Sequence, residues 1–420
     1  MNRHPSYKPS GVKWLGEIPN HWEVKRFKHF GTFSKGKLPK NTNLDGIGFP
    51  IIGASEMNGK EPSVFTEDIN VPHCLPYEIL ILWDGANAGL VANNKKGVVA
   101  STAVKYTCID DSINDRYLFY LVKNYQRYYK DKVSGTTIPH MNIAFINDTP
   151  LLVPKYAEQT AIANYLDTAT AKIDAAIAQQ QKMIDLLNER KQIIINRAVT
   201  KGLNPNAKMK DSGVEWIGEV PEGWDTCALK KKAKVILGKM LSNNPTNKYK
   251  YICAKDVHYG EIDTSDLKEM SFTHEERQLY EVKKGDMLIV EGGAGAGGCA
   301  IVKEDLKNIY IQNSIMIVRG AENLLNDYLC FFMQSINQKG YIEYICNKAT
   351  IPHFTKEKVG AVIIPLPPFK KQVEIVDYLN TAIAPIDDAI KNCNNQISLL
   401  QERKQIIINE VVTGKVKVTN

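Results

Sequence analysis

Two long stretches of the chain carry apolar residues at an alternating spacing of four and three positions. The first stretch, Ala157 to Thr200, contains no proline or glycine. Its seam includes Ile162, Leu166, Ile173, Met183, Leu187 and Ile194, and the seam of the second stretch includes Ile375, Leu379, Ile386, Leu400 and Ile407. A seam sustained over this many heptads predicts two long helices that form a coiled coil. At about 1.5 Å per residue, the first helix would be roughly 60–65 Å long.

The chain is internally duplicated. Glu189–Asn196 is identical to Glu402–Asn409, at an offset of 213 residues. A second pair of segments, Ser10–Trp22 and Ser212–Trp224, shares the pattern Ser-Gly-Val-x-Trp-x-Gly-x-x-Pro-x-x-Trp at an offset of 202 residues. Repeats of this kind indicate that one structural unit occurs twice. A pseudo-twofold relation between the copies would place the two long helices antiparallel, with one α/β domain at each end.

The sequence leaves two points about the helices open. Each helix would pack only on its own α/β domain if the coiled coil did not form. Pro385 lies inside the second helix and should kink it, unless it marks a join between two helices.

Between the repeated segments, short apolar runs are bounded by turn residues, which is the pattern of strands. The runs are Gly48–Ala54, Glu78–Trp83 and Val98–Thr107 in the first copy, and Tyr249–Ala254, Asp286–Glu291 and Ile309–Arg319 in the second. In each copy a helix is predicted next, with its N-cap at Asn114-Asp115 or Asn326-Asp327. The predicted fold class is therefore mixed α/β (α+β), with two tandem domains, each followed by a long helix. The predicted boundaries are 1–156 and 204–369 for the domains, and 157–203 and 370–420 for the helical segments.

Composition narrows the function only modestly. The 420 residues include 53 basic and 46 acidic side chains, a net charge of +7, which favours a polyanionic partner without requiring one. No window approaches the roughly 18 apolar residues of a membrane helix, and the N-terminus has no signal core, so we expect a cytoplasmic protein with no membrane partner. The eight cysteines form no Cys-x-x-Cys pair and the eight histidines no metal-ligand spacing, so no metal is expected.

Two glycine-rich segments imitate nucleotide-binding motifs. Gly31–Leu38 has phosphate-loop spacing but ends in leucine where serine or threonine would bind Mg²⁺. Gly292–Gly298 contains a GxGxxG pattern, but a strand-like run follows it where a helix is needed. We interpret the second segment, and Trp83–Gly89 in the first copy, as hairpin turns. Because no GxSxG, His-Glu-x-x-His or adenine methyltransferase motif is present, the chain is expected to be non-catalytic.

Lysine and asparagine side chains near the repeated segments are candidates for contacts with nucleic acid. They are Lys35, Lys37, Lys40, Asn87, Lys95 and Lys96 in the first copy, and Lys239, Asn243, Lys250, Lys255 and Gly295 in the second. Each is individually more often a solvated surface residue. Two Thr-Ile-Pro-His loops add Thr137, His140, Thr350 and His353, which either face a ligand or merely join the last strand to the helix.

Taken together, the ordered segments resemble the specificity subunit of bacterial type I restriction-modification systems. The resemblance rests on the tryptophan segments at Ser10 and Ser212, the Thr-Ile-Pro-His loops, and the two Glu-Arg-Lys-Gln-Ile-Ile-Ile ends, and it covers essentially the whole chain. It implies that each α/β domain is a target recognition domain for one half of a gapped, asymmetric sequence in double-stranded DNA. The two helices would then form an antiparallel spacer that sets the gap.

The resemblance also implies partners. Two modification (methyltransferase) subunits would dock on the outer helix faces and on the segments around Trp14 and Trp216, and restriction (motor and endonuclease) subunits would join that core. S-adenosylmethionine would belong to the modification subunits and ATP with Mg²⁺ to the restriction subunits, with no cofactor in this chain. The competing hypotheses are a coiled-coil adaptor whose domains bind protein, and a self-sufficient methyltransferase or nuclease.

Overall fold

The computed structural model describes residues 3–133, 139–241, 248–293, 295–346 and 353–418. The chain divides into two compact units, which we call unit 1 (Met1–Gln181 with Asn394–Asn420) and unit 2 (Lys182–Cys393). Each unit contains one α/β domain, the first part of the helix that follows it, and the last part of the other long helix.

The elements of unit 1 before the first long helix are short. The strands are β1 (Tyr7–Pro9), β2 (Glu17–Pro19), β3 (Glu23–Arg26), β4 (Gly31–Lys35), β5 (Phe49–Ile52), β6 (Phe65–Thr66), β7 (His73–Cys74), β8 (Ile79–Leu82), β9 (Val91–Ala92), β10 (Gly97–Val99), β11 (Ala103–Cys108) and β12 (Pro150–Val153). The helices are a 3-10 turn (Phe27–His29), α1 (Ala54–Met57), α2 (Asp115–Asn124), α3 (Gln126–Lys130) and α4 (Ile143–Asn147), and the long helix α5 spans Tyr156–Lys201.

Two four-stranded sheets form the centre of unit 1. One is antiparallel with the order β4-β11-β8-β9, and the other has the order β6-β5-β10-β7 with β5 and β10 parallel. All of β8 is buried, because its alternate side chains enter different cores: Ile79 and Ile81 join the core that contains α2, whereas Leu80 and Leu82 join the core beside the second sheet. A strand covered on both faces explains a continuous apolar run in place of an alternating one.

Unit 2 repeats this plan with its own elements. The strands are β13 (Met209–Asp211), β14 (Glu219–Pro221), β15 (Asp225–Ala228), β16 (Ala233–Leu237), β17 (Tyr249–Ile252), β18 (Val257–His258), β19 (Glu261–Ile262), β20 (Lys268–Met270), β21 (Met287–Val290), β22 (Cys299–Ile301), β23 (Ile309–Ile311), β24 (Ile315–Gly320) and β25 (Ile363–Leu366). The helices are 3-10 turns at Leu229–Lys231 and Ala254–Asp256, then α6 (His274–Tyr280), α7 (Asn326–Gln338), α8 (Tyr341–Ile345) and α9 (Lys356–Ala361), and the second long helix α10 spans Phe369–Val412.

The antiparallel sheet of unit 2 has the strand order of its counterpart in unit 1, whereas the second sheet has three strands among the described residues where unit 1 has four. The antiparallel sheet is β16-β24-β21-β22 and the second sheet is β20-β17-β23, with β17 and β23 parallel. In β21, Met287 and Ile289 enter one core while Leu288 and Val290 enter the other. The duplication inferred from sequence is thus a duplication of fold, and the predicted mixed α/β class is confirmed.

Two predicted strands are each divided in the structure. The predicted run Val98–Thr107 contains the end of β10 and most of β11, which belong to different sheets, and the predicted run Ile309–Arg319 likewise contains β23 and most of β24. Turns closed by Ala103 N–H donating to Ala100 O (2.9 Å) and Ile315 N–H donating to Gln312 O (2.9 Å) separate them. At these turns the chain passes from one sheet to the other. The apolar run continues through each turn, so the sequence pattern does not reveal the change.

The two predicted helix caps have different outcomes. Asn114 caps α2, and its side chain accepts hydrogen bonds from the N–H groups of Arg116 and Tyr117. Asn326 is instead the first residue of α7, and its side chain accepts from Gly320 N–H at 3.0 Å. Asn326 therefore joins the helix start to the end of β24 rather than capping the helix.

The two long helices contact each other in an antiparallel sense within each unit. In unit 1, Lys404 of α10 forms an ion pair with Asp174 of α5 at 2.6 Å, and Ile408 and Val411 share a core with Leu166. In unit 2, the matching ion pair joins Lys191 to Asp387 at 2.6 Å. Asp387 and Lys404 are the counterparts of Asp174 and Lys191 at the 213-residue offset.

The long helices differ from the sequence prediction in two details. Helix α10 continues through Pro385, so this proline is not a join between two helices. In α5, Met183 is 47% exposed whereas Ile184 is 7% exposed, and Ile195 is fully buried. The buried side of the helix moves by one residue because 3.6 residues per turn do not keep a seven-residue repeat on one line. No helix among the described residues is long and apolar enough to cross a membrane.

A buried glutamine ties the first turns of each long helix to the domain before it. Gln159 accepts a hydrogen bond from Asn114 N–H at 2.8 Å and donates to Ser112 O and Pro154 O. Its counterpart Gln372 accepts from Leu325 N–H at 2.8 Å and makes two similar donations. Both glutamines are fully buried, so these bonds fix where each helix leaves its domain.

Candidate nucleic-acid interface

In unit 1, a hairpin loop and the loop that ends in His140 lie side by side. Residues 83–90 connect β8 to β9, which are antiparallel. Met141 N–H donates to Trp83 O at 2.9 Å, Gly85 N–H donates to Pro139 O at 3.0 Å, and Asp84 forms an isolated bridge with His140. Two segments singled out in the sequence therefore meet.

The side chains at this junction form a cluster of mixed chemistry, which we call the Trp83 cluster: Lys35, Trp83, Asp84 and His140. The Lys35 ammonium lies 3.8 Å from the centroid of the Trp83 ring, in cation–π geometry. The His140 and Trp83 rings are 4.6 Å apart, and His140 Nδ1 pairs with Asp84 Oδ1. Trp83 Nε1 is buried and has no hydrogen-bond partner among the described residues. Lys35 and His140 are exposed, so the cluster offers hydrogen-bond donors and positive charge to a ligand.

Unit 2 contains a loop with the same backbone bonds. Residues 291–298 connect β21 to β22, Phe354 N–H donates to Glu291 O at 2.7 Å, and Gly292 bridges His353. Gly297 N–H donates to Val290 O at 2.9 Å, just as Gly89 N–H donates to Leu82 O at 2.7 Å. In both units, therefore, the loop that contains the histidine lies beside the hairpin loop in the same way.

A glycine is required at the end of both loops. Gly89 and Gly297 have φ values of 87° and 82°, which other residues rarely adopt. A Cβ atom would also lie 3.0 Å from Lys130 N in unit 1 and 2.5 Å from Ile342 Cδ1 in unit 2. The shared loop shape thus has a local cause in the sequence.

The side chains on these matching loops are different. Trp83, Asp84 and Asn87 in unit 1 correspond in loop position to Glu291, Gly292 and Gly295 in unit 2. Asn87 and Gly295 are both exposed. Unit 1 therefore presents an aromatic ring and an amide where unit 2 presents a carboxylate and bare backbone.

The remaining lysine candidates of unit 1 lie at or near the surface. Lys37, Lys40 and Lys96 are exposed and Lys95 is half-buried. Lys37 and Lys40 are held by backbone bonds, from Lys37 N–H to Val99 O and from Lys40 N–H to Asp68 Oδ2. None of the four side chains forms an ion pair with a described residue. Their ammonium groups are available to a polyanion.

The lysine candidates of unit 2 are unlike one another. Lys239 is 16% exposed, and its ammonium pairs with Glu276 Oε2 at 2.6 Å, so its charge is already compensated. Lys255 lies 3.4 Å from Asp266, and that hydrogen bond raises the pKa of Lys255. Lys250, on β17, is exposed and has no ion pair with the described residues. Three further candidates, Thr137, Asn243 and Thr350, lie outside the described residues.

Sequence reasoning did not identify several residues of this surface. The contact of Lys35 with Trp83 joins strands far apart in the chain, and no spacing rule reveals it. Tyr344 in α8 is 80% exposed, and Met240, which follows Lys239, is 74% exposed. Large exposed apolar side chains near candidate loops are a signal of binding, but exposure is visible only after folding.

The chain is similar to known proteins over almost its whole length. A family model for the type I restriction modification DNA specificity domain matches residues 19–184 and 221–399. The type I restriction enzyme MjaVIII specificity subunit of Methanocaldococcus jannaschii is 27% identical over 428 residues, which cover 99% of this chain and 98% of that protein. The type I restriction enzyme EcoBI specificity subunit of Escherichia coli is 22% identical, over 89% of this chain and 81% of that protein.

A solved structure shares the fold. It comes from work on complex assembly and conformational transition of a type I R-M system, and it superposes with a TM-score of 0.65 at 15% sequence identity. The superposition covers 95% of this chain and 99% of that one.

Proposed function

Because the chain belongs to the family of type I restriction-modification DNA specificity domains, we propose that it is the sequence-recognition subunit of such a complex and leaves catalysis to its partner subunits. One observation carries the proposal: the two units present hairpin and His loops that share several matching backbone bonds but have unlike side chains. A shared frame with different contact groups is suited to recognising two different DNA half-sites. The target is therefore a gapped, asymmetric sequence, with one half recognised by each unit.

Within unit 1, phosphate binding falls to the unpaired lysines and base recognition to the loops. Lys37, Lys40 and Lys96 supply the charge that positions a protein on the DNA backbone without reading sequence. Lys35 and His140 of the Trp83 cluster, together with the exposed amide of Asn87, provide donors and an acceptor for base edges. In unit 2, the glycine-rich loop lets backbone approach the DNA closely at Gly295.

The long helices α5 and α10 act as the spacer between the recognition surfaces. The pairs Asp174–Lys404 and Lys191–Asp387 fix the helices in one antiparallel register in each unit. Adding or removing one heptad between Ile173 and Leu187 is expected to change the gap length of the target and to leave both half-sites intact. A changed half-site with an unchanged gap would refute the spacer role.

Exposed apolar residues on the outside of the helices are the proposed docking sites for two modification subunits. Leu186 and Ile193 of α5 are 52% and 60% exposed, and their repeat counterparts Leu399 and Ile406 of α10 are 63% and 48% exposed. Such side chains, seven residues apart on one helix face, suit a partner helix. Restriction subunits then join this core. The methyl donor S-adenosylmethionine belongs to the modification subunits, and ATP with Mg²⁺ belongs to the restriction subunits.

Docking is tested with paired variants. Leu186→Glu with Ile193→Glu should remove one modification subunit from the complex, and Leu399→Glu with Ile406→Glu should remove the other, as measured by native mass spectrometry. Gln179→Glu, at an exposed position of the same helix, is the control and should leave two subunits bound. Unchanged stoichiometry in both double variants would exclude these faces.

DNA recognition is tested by salt dependence in the complex with modification subunits. Affinity for a cognate duplex should fall steeply with salt, and Lys37→Ala should reduce the slope of log K against log salt by about 1, whereas Lys172→Ala on the exposed side of α5 should not change it. The alternative function, a protein-binding adaptor, predicts equal binding to cognate and random duplexes. That result would overturn the proposal.

A further inference from the structure

Two histidines and a glutamate, distant in sequence, converge at the start of helix α5. His4 lies in the N-terminal segment, His21 follows β2, and Glu158 is in the first turn of α5. One ligand atom from each of the three lies within 4.8 Å of the others. All three belong to unit 1, and none belongs to the nucleic-acid interface.

The atoms in this group are arranged around one carboxylate. His21 Nε2 is 2.9 Å from Glu158 Oε2, and His4 Nε2 is 3.8 Å from Glu158 Oε1. The second distance is too long for a hydrogen bond. The two imidazole rings are 5.5 Å apart, with both Nε2 atoms directed to the same carboxylate.

Surrounding residues hold the ligand atoms in place. The buried indole of Trp22 donates from Nε1 to Glu158 Oε1 at 3.2 Å, which orients the carboxylate. His4 N–H donates to the Tyr7 hydroxyl at 3.2 Å, and Tyr7 donates to Gly414 O at 3.1 Å, so the N-terminal segment is anchored. Outer hydrogen bonds that orient ligands are characteristic of metal sites.

Burial makes His4 suited to ligation. Its side chain is 3% exposed, whereas those of His21 and Glu158 are 44% and 22% exposed, so the group is open on one side. The buried ring is thereby held in place, and an ion can reach the group from its exposed side.

We propose that His4, His21 and Glu158 form a binding site for one Zn²⁺ ion, with solvent completing the coordination. Two imidazoles and a carboxylate are a ligand set that prefers zinc to Mg²⁺ or Ca²⁺. Ligand atoms around a tetrahedral zinc are roughly 3.3 Å apart, given bonds of about 2.0–2.1 Å. The three ligand atoms already lie within 4.8 Å of one another, so small side-chain rotations are enough to reach that spacing. The ion ties the N-terminal segment to the base of α5.

The second copy of the duplicated fold offers a built-in comparison. At the repeat offsets, His21 corresponds to Gly223 and Glu158 to Lys371, while Trp22 corresponds to Trp224. The structural tryptophan is thus present in both copies but the metal ligands in only one. One zinc ion per chain is expected, not two.

The test is Zn²⁺ titration of the full chain by calorimetry after removal of metal by a chelator. Wild type should bind one equivalent, and Zn²⁺ should raise its thermal unfolding temperature. His4→Ala, His21→Ala and Glu158→Gln should each weaken binding at least about tenfold, because removing a residue that only orients a ligand already costs about 10- to 100-fold. Co²⁺ should give the visible absorption bands of a tetrahedral site in wild type and not in these variants.

His29→Ala is the control, because His29 is an exposed histidine of unit 1 outside the group. It should bind Zn²⁺ like wild type. Equal loss in His29→Ala and His21→Ala, or wild-type binding in all three ligand variants, would overturn the proposal in favour of unspecific surface imidazoles. If His4→Ala fails to fold, His21→Ala still decides the question, since His21 is exposed and its loss should leave the circular dichroism spectrum unchanged.

Discussion

Replacing Gln159 by methionine should loosen the attachment of helix α5 to the first α/β domain. Methionine keeps the length and flexibility of the side chain and removes its hydrogen bonds. The change leaves three backbone groups without the partner they have now: Asn114 N–H at 2.8 Å, Ser112 O at 3.1 Å and Pro154 O at 2.9 Å. The effect therefore measures the junction and little else.

The expected loss follows from the burial of those three groups. An unsatisfied buried group costs about 1–3 kcal/mol, and a hydrogen bond that water can replace is worth about 0.5–1.5 kcal/mol. The bond to Pro154 O is buried, whereas those to Asn114 and Ser112 are partly buried. We therefore expect Gln159→Met to lower the free energy of unfolding of unit 1 by roughly 2–6 kcal/mol.

Hydrogen exchange measured by mass spectrometry is the suitable assay, because two units need not unfold in a single transition. The amides of α2 and of residues 156–166 should exchange about thirty to twenty thousand times faster in the variant. Gln179→Met, at an exposed position, should change exchange little, and Gln372→Met should produce the same effect at the start of α10. Exchange in Gln159→Met that matches Gln179→Met would refute the reasoning.

Three further changes have defined outcomes. Trp83→Ala removes the ring beneath Lys35 and should weaken DNA binding about 2- to 30-fold. Binding to duplexes with base changes in a single half-site should show that the loss concerns one half-site only. Burial lowers the pKa of Lys123 from 10.5 to about 8, so between these pH values the unfolded chain binds more protons than the folded chain, and the stability of the folded chain rises with pH. Chemical denaturation should therefore show the free energy of unfolding of wild type rising by roughly 1–3 kcal/mol relative to that of Lys123→Met between pH 8 and pH 10. A difference between the two proteins that stays constant with pH would contradict the lowered pKa. Asp174→Asn should cost less than about 1 kcal/mol in the same assay, because its ion pair with Lys404 is half exposed, and a larger loss would mean that the pair does more than fix register.

The sequence predicted the frame of the molecule because repetition and periodicity are properties of the chain itself. The seam through Leu166 and Leu379, both fully buried, followed from spacing alone. The run Glu78–Trp83 was predicted as a strand from its apolar residues, and β8 (Ile79–Leu82) lies within it. What the pattern missed were changes of direction, as between β10 and β11, where a three-residue turn moves the chain to another sheet without interrupting the apolar run.

The candidate interface was less predictable, since it depends on contacts between distant segments. The sequence does not show whether a lysine will form an ion pair in the folded chain. Lys239 pairs with Glu276, whereas Lys37 forms no ion pair with the described residues. The Trp83 cluster and the group around Glu158 each join residues separated by long stretches of chain. The assignment of individual lysines and loop residues to DNA contacts stays a prediction.

Methylome sequencing of cells that express this chain with its modification subunits tests the central claim most directly, when wild type is compared with a variant whose residues 24–150 come from another recognition domain. The account predicts one gapped, asymmetric methylated motif for wild type, and a motif with one half changed and the other half retained for the variant. Methylation without a bipartite motif, or a variant that changes both halves together, would contradict the assignment of one half-site to each unit.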